Sequence, residues 1–288
     1  MIQYTYSVNG GIKVTKESKG KLYILMAAVL WSIGGVLIKV IPWSAFGIIG
    51  TRSLLSVIVL CLYRGFNKKI KLNKIILFAG ISASLTNILF VYATKMTTSA
   101  NAIVLQSTAP IFVMILSVLF LHKKIDFKQV LMISTSFIGI LIFFMENMSG
   151  GALIGNILAV LSGIAYAGMY FFNSFDGADP LDSSILAHAI NVLVALPTIL
   201  QFNEPSLSMA GVYAIIALGV VQIGFPYILF SKGIVLCDGV SASLISMAEA
   251  VLNPIWVAIF INEIPSLYSL IGGTIVLLSV VFNIIKKD

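Results

Sequence analysis

Long apolar runs recur along this chain, and they restrict the fold more than any other feature of the sequence. A helix needs about 20 predominantly apolar residues to cross the hydrocarbon core of a bilayer. Runs of this length alternate with short polar connections, so each run predicts one membrane-spanning helix. We number the predicted spans 1 to 10 in chain order, at residues 22–41, 43–63, 75–95, 100–121, 127–146, 153–173, 183–202, 210–231, 240–261 and 266–285.

The composition excludes a water-soluble domain. Hydrophobic residues make up 59% of the chain and charged residues only 10%, whereas about 25% of the residues in a soluble domain are charged. Lysine and arginine outnumber aspartate and glutamate by 18 to 11. In a membrane protein such an excess is typical of cytoplasmic loops. We therefore predict an all-α integral membrane protein whose partner is the lipid bilayer and which binds no nucleic acid.

The positions of the basic residues predict the orientation. On the side opposite the N-terminus, the polar ends of the spans carry only Lys39 and Lys95. The N-terminal side carries most of the others, namely Lys13, Lys16, Lys19, Lys21, Arg64, Lys68, Lys69, Lys71, Lys74, Lys123, Lys124, Lys128, Lys232, Lys286 and Lys287. By the positive-inside rule, both termini are expected in the cytoplasm and the protein in the cell (plasma) membrane.

The two halves of the chain resemble each other. Residues 87–127 align with residues 227–267 at a shift of 140 positions, without a gap. An alignment of span 1 with span 6 pairs Trp31 with Tyr166. Similar halves of five helices each predict an internal repeat, and the odd number inverts the second copy relative to the first.

We therefore predict ten transmembrane helices arranged as two inverted five-helix repeats. The first repeat is expected at residues 22–146, the second at 153–285, and a cytoplasmic segment at 1–21. In transporters built from inverted repeats the substrate site lies near the membrane midplane, where the two copies meet.

Span 9 carries a carboxylate near its centre. A charge at that depth costs about 2.5–3.5 kcal/mol on insertion scales. Ser243, Ser246, Glu249 and Asn253 follow one another at helical spacing, so they share one face of the helix. That face must meet other helices or a water-filled cavity. Pairing inside the bundle for packing alone remains the alternative to a role in function.

Other spans place polar and aromatic side chains at similar depth. We predict a substrate site formed by Glu249, Asn253, Arg52, Trp31, Asn87, Gln106, His188, Asn191, Tyr166 and Gln222. Glu249 and His188 are further candidates for proton coupling. The sequence contains two cysteines, two histidines and none of the usual catalytic or phosphate-binding motifs, so we expect no enzyme activity, no metal and no cofactor.

Several segments carry a family resemblance. They are AAVLWSIGGVLIK at 27–39, Arg52, STAPIFVMILSVLFL at 107–121 and AEAVLNPIWVAIFINEIPS at 248–266. In their order and spacing they resemble the EamA-type members of the drug/metabolite transporter superfamily. The resemblance implies two five-helix repeats and the transport of a small molecule.

The expected function is therefore secondary active transport of a small polar metabolite by alternating access. Arg52 and Glu249 together suit an amino acid or a related zwitterion, because one can meet a carboxylate and the other an ammonium group. The alternative substrate is an organic cation or drug, held by Glu249 and aromatic faces. A lipid flippase or a non-transporting membrane scaffold is the alternative from another class. We expect a monomer or a homodimer.

Overall fold

A computed structural model describes residues 15–65, 69–122, 150–201, 203–264, 266–268 and 270–275, with isolated positions between 127 and 142 and residue 278. Within these ranges the regular structure is entirely helical. The helices are α1 Lys16–Trp31, α2 Gly34–Val40, α3 Ala45–Arg64, α4 Lys74–Met96, α5 Ser99–Gln106, α6 Ala109–Leu121, α7 Gly150–Asn173, α8 Pro180–Gln201, α9 Met209–Ala217, a π-helical segment Leu218–Gly224, α10 Phe225–Ile234, α11 Gly239–Ser246 and α12 Ala248–Ile261.

Eight of the predicted spans are present in the described residues as helices long and apolar enough to cross a membrane. Spans 1 to 4 are Lys16–Val40, Ala45–Arg64, Lys74–Met96 and Ser99–Leu121, and spans 6 to 9 are Leu153–Asn173, Pro180–Gln201, Met209–Ile234 and Gly239–Ile261. Spans 5 and 10 lie largely outside the described residues. The two-repeat fold fits this arrangement, but the number of ten helices is not confirmed.

Span 1 begins six residues before the predicted start, at Lys16 rather than at position 22. The Thr15 side chain caps this helix by accepting a hydrogen bond from the Ser18 backbone N–H at 3.1 Å. Glu17 and Lys21 form an ion pair one turn apart at 2.7 Å. These local bonds support an exposed helical turn that apolar periodicity alone does not reveal.

Spans 4 and 9 share an interruption that supports the 140-residue register. Span 4 breaks after Gln106, and span 9 breaks at Met247, directly after Ser246. Each span also ends in a left-handed residue, His122 with φ 50° and Asn262 with φ 58°. The residues that cap the two spans, Thr98 and Asp238, are likewise 140 positions apart.

The spans pack so that equivalent pairs of the two halves face each other. Span 2 packs on span 7, span 3 on span 6, and span 1 on span 8. We call the bundle end formed by residues 16–21, 64–65, 69–74, 174–182 and 235–239 the basic end, and the end formed by residues 39–45, 95–99, 204–209 and 261–264 the opposite end. Each end has its own buried apolar cluster, with Ile24, Leu60, Phe230 and Ile234 at the basic end and Ile38, Ile41, Ile48 and Ile103 at the opposite end.

Polar contacts tie the spans together at both ends. At the basic end the buried Asp182 carboxylate accepts hydrogen bonds from the Arg64 guanidinium and from the Lys71 backbone N–H, at 2.8 and 2.7 Å. At the opposite end Glu263 accepts from the Ser99 backbone N–H at 2.7 Å and pairs with Lys39 at 3.4 Å. Glu263 therefore connects span 1 with the beginning of span 4.

Candidate functional site

A cavity lies between the two apolar clusters, near the middle of the spans. Its volume is about 30 Å³, enough in this state for about two water molecules. The lining residues are Trp31, Arg52, Thr86, Asn87, Phe90, Gln106, Tyr166, Gln222, Ile223, Tyr227 and Glu249. Each of them is at most 8% exposed, so the lining belongs to the interior of the bundle.

Arg52 places a buried cation at the wall of this cavity. Its side chain, in the middle of span 2, is 1% exposed. One terminal nitrogen, Nη2, donates to the Asn87 side-chain oxygen at 3.0 Å and to the Asn87 backbone oxygen at 3.3 Å. Asn87 in turn donates to the Tyr227 hydroxyl at 2.9 Å. In the described part of the chain the Nε atom of Arg52 has no hydrogen-bond partner.

Glu249 places a buried carboxyl group at the same cavity. It lies in the first turn of α12, directly after the break at Met247. The helix dipole favours an acid at that position, and this explains in part how the span tolerates a carboxyl group. Within the described residues no ion pair joins Glu249 to Arg52 or to any other cation. The Arg52 guanidinium and the Glu249 carboxyl group therefore line one cavity without an ion pair between them.

Aromatic rings form the wall of the cavity on the side of the basic end. Trp31 makes edge contacts with Tyr166 at 6.1 Å and with Tyr227 at 5.5 Å between ring centroids. Trp31 and Tyr166 are the two residues that the alignment of spans 1 and 6 pairs. Tyr227 is the equivalent of Asn87 at the 140-residue shift, and these two also touch. Residues aligned between the halves therefore meet at the cavity.

Two glutamines contribute amides to the lining. Gln106 donates to the Ser162 hydroxyl at 2.6 Å. Gln222, within the π-helical segment, donates to the Trp31 backbone oxygen at 3.1 Å. The side-chain oxygen of Gln222 is buried and has no donor among the described residues. A bound ligand with an N–H or O–H group could satisfy it.

The structure brings seven of the ten predicted site residues to the cavity, and three lie elsewhere. His188 and Asn191 both contact the Ser53 hydroxyl at 3.3 Å, and the His188 ring packs edge-on against Tyr227 at 4.8 Å between centroids. Asn253 donates to the Ser32 backbone oxygen at 2.9 Å. The described residues contain no cluster of His, Cys, Asp and Glu side chains that could hold a metal. Sequence reasoning missed Thr86, Phe90, Ile223 and Tyr227, of which Tyr227 could have been found through its equivalence to Asn87.

Span 1 is interrupted between Trp31 and Gly34, where side chains of the second half hold its backbone. Gln222 binds the Trp31 oxygen, Asn253 the Ser32 oxygen, and Trp256 donates to the Ser32 hydroxyl at 3.0 Å. Glycines make room for these amides. A Cβ atom on Gly34 would lie 2.7 Å from the Gln222 side-chain nitrogen, and one on Gly35 would lie 2.7 Å from that of Asn253.

Gly35→Ala is therefore expected to destabilise the protein. The new methyl group must displace the Asn253 amide or strain span 1, and such overpacking costs about 1–3 kcal/mol. We expect a lower midpoint of thermal unfolding in detergent. Gly211→Ala is the matched control, because its nearest neighbour is the flexible Leu207 side chain at 3.1 Å. Adding Asn253→Ala to Gly35→Ala should cost less than the sum of the two single changes. Equal unfolding midpoints for Gly35→Ala and Gly211→Ala would contradict the close approach of the Asn253 amide to Gly35.

Comparisons with known proteins agree with the helical architecture. The model of the EamA-like transporter family matches residues 18–145 and 153–285. A relative from Archaeoglobus fulgidus, described as an uncharacterized transporter, is 24% identical over 266 residues, which cover 91% of this chain and 94% of the relative. A solved crystal structure shares the fold with a TM-score of 0.68 at 16% identity, covering 94% of this chain and 100% of that chain.

The family match covers nearly the whole described bundle and confirms the resemblance seen in the sequence. The helices that could span a membrane agree with a multi-pass membrane protein. The chain belongs to the EamA-like transporter family.

Proposed function

We propose that this protein is a secondary active transporter that moves a small zwitterion, foremost an amino acid or its derivative, by alternating access. The observation that carries the proposal is the presence of Arg52 and Glu249 on one buried cavity without an ion pair between them. Arg52 is proposed to bind the carboxylate of the substrate, and Glu249 its ammonium group.

Charge balance supports a zwitterion over other solutes. Truncating one partner of a buried, hydrogen-bonded charge pair costs about 2–5 kcal/mol, because the other charge is left uncompensated. A zwitterion supplies one partner for each of the two residues. A neutral solute would leave both charges unpaired, and a singly charged solute would leave one. The small volume of the cavity favours a compact substrate.

The packing of the bundle supports alternating access. The cavity takes its lining from both apolar clusters, with Phe90 from the opposite-end cluster and Trp31, Tyr166 and Tyr227 from the basic-end cluster. Opening either cluster would expose the site to one side of the membrane only. Two inverted repeats provide two equivalent arrangements for such a movement.

An organic cation is the second candidate substrate. Trp31, Tyr166 and Tyr227 surround one side of the cavity that Glu249 lines, and aromatic faces attract cations. A cation would neutralise Glu249 but would leave Arg52 without an anion. The buried lining disfavours a flippase, because no lining residue is more than 8% exposed.

Flux in proteoliposomes tests the proposal. Purified protein is reconstituted with one labelled solute at a time, taken from neutral amino acids, their amides and quaternary ammonium compounds. Counterflow of a zwitterion, saturable and absent from protein-free vesicles, is the expected result. Flux of quaternary ammonium compounds alone would favour the second candidate. Lipid scrambling without solute flux would favour a flippase, and no flux of either kind would favour a scaffold.

Both termini are proposed to lie on the cytoplasmic side of the plasma membrane. Single cysteines at Ser18 and Lys287 should react with an impermeant maleimide from the same side, and a cysteine at Ser206 from the other. The background is a Cys61→Ser variant. Burial raises the pKa of the remaining Cys237 thiol to about 12, so this thiol reacts slowly. Labelling of positions 18 and 287 from opposite sides would contradict an even number of spans.

A further inference from the structure

A basic and aromatic patch lies at the basic end, where spans 1, 2 and 8 meet. The Lys232 ammonium nitrogen lies 5.9 Å from the ring centroid of Tyr23 and 5.1 Å from that of Tyr63. The Lys19 ammonium nitrogen also lies 5.9 Å from the Tyr23 centroid. Two cations from different halves of the chain thus share one aromatic ring. We call these four residues the Lys19–Lys232 patch.

Tight helix packing brings the two lysines together. A Cβ atom on Gly20 would lie 3.0 Å from the Gly233 backbone oxygen, and one on Gly233 would lie 2.9 Å from the Gly20 backbone oxygen. Spans 1 and 8 therefore touch at these glycines, and Lys19 and Lys232 are their direct chain neighbours.

No acid of the described residues forms an ion pair with the patch. Glu17, the acidic residue closest to Lys19 in sequence, pairs with Lys21 at 2.7 Å. Within the part of the chain that the structure describes, neither Lys19 nor Lys232 forms an ion pair. Both are exposed, so their ammonium groups are open to an anion from outside the protein.

We infer that the Lys19–Lys232 patch binds the headgroup of an anionic phospholipid, with the phosphate between the two ammonium groups. Tyrosines and lysines at the end of a span lie at the depth of lipid headgroups, and basic clusters there attract anionic lipids. The neighbouring side chains Leu22, Leu62 and Val235 are 54%, 60% and 60% exposed, and they offer apolar surface to the acyl chains. The site goes beyond the proposed transport function and is independent of the cavity.

Native mass spectrometry of the detergent-purified full chain tests this site. Dioleoyl phosphatidylglycerol and dioleoyl phosphatidylcholine are titrated separately, and the lipid-bound fractions are compared. The test variant is Lys19→Gln with Lys232→Gln. The matched control is Lys71→Gln with Lys74→Gln, which removes the same formal charge from the same end. Inorganic phosphate is added as a soluble competitor.

The wild-type protein is expected to bind phosphatidylglycerol more tightly than phosphatidylcholine. The test variant should lose about five-fold in phosphatidylglycerol affinity for each lysine, the equivalent of about 1 kcal/mol per basic residue at a membrane surface. The control variant should stay within about two-fold of the wild type, since its lysines share no aromatic ring of the described residues. Equal losses in both variants, equal binding of the two lipids, or displacement of the lipid by inorganic phosphate at equal concentration would each overturn the inference.

Discussion

Arg52→Gln is expected to weaken substrate binding by about 30-fold or more. The substitution removes the buried guanidinium that Asn87 holds at 3.0 Å, and it leaves the substrate carboxylate without a cation. Loss of one partner from a buried charge pair costs about 2–5 kcal/mol. The dissociation constant of a transported zwitterion is measured by ligand-induced thermal stabilisation of the purified protein.

Two further variants separate charge from geometry at Arg52. Arg52→Lys keeps the charge but cannot reproduce the forked donor, so an intermediate loss is expected. Lys74→Gln removes an exposed cation at the basic end and should leave the affinity unchanged. An affinity of Arg52→Gln within about two-fold of the wild type would contradict a carboxylate contact.

The Glu249→Gln variant is expected to lose concentrative transport. Whether it still exchanges substrate across the membrane distinguishes a proton-carrying role of Glu249 from a substrate-binding role. The substitution keeps the shape of the side chain and removes its charge. If Glu249 only carries a proton, gradient-driven accumulation disappears while substrate exchange across the membrane continues. If Glu249 binds the substrate ammonium group, as we propose, both accumulation and exchange disappear.

The control for this variant is Glu17→Gln. Glu17 is an exposed acid whose ion pair with Lys21 lies on the surface, and such pairs contribute little to stability. Accumulation and exchange should both be preserved there. If the Glu249→Gln variant accumulates substrate like the wild type and responds unchanged to a pH gradient, Glu249 has neither role and serves packing alone.

The apolar runs alone predicted the bundle, because the requirement to cross a bilayer fixes helix length and composition. Eight spans lie within six residues of their predicted bounds. The interruptions of spans 1, 4 and 9 were not predicted. In span 1 the break is held by Gln222, Asn253 and Trp256, which lie about 190 or more positions away. No local pattern encodes such a contact.

The polar face of span 9 was only partly predictive of the site. Glu249 lines the cavity, whereas Asn253 binds the broken backbone of span 1. Four residues advance a helix by about 6 Å along its axis, enough to move a side chain from a small cavity to its border. His188 and Asn191 share the depth of Arg52 but face Ser53. The sequence predicted how deep each residue lies along its span, but the direction in which each side chain points depended on tertiary packing.

The central claim is that Arg52 and Glu249 bind opposite ends of one substrate. The most direct measurement is the affinity of a transported amino acid, its carboxamide and its N-acetyl derivative for the wild-type protein, Arg52→Gln and Glu249→Gln. We predict that the wild-type protein discriminates strongly against both analogues. Arg52→Gln should lose discrimination against the carboxamide alone, and Glu249→Gln against the N-acetyl derivative alone. Discrimination that stays unchanged in both variants, or that falls equally for both analogues in each variant, would contradict the account.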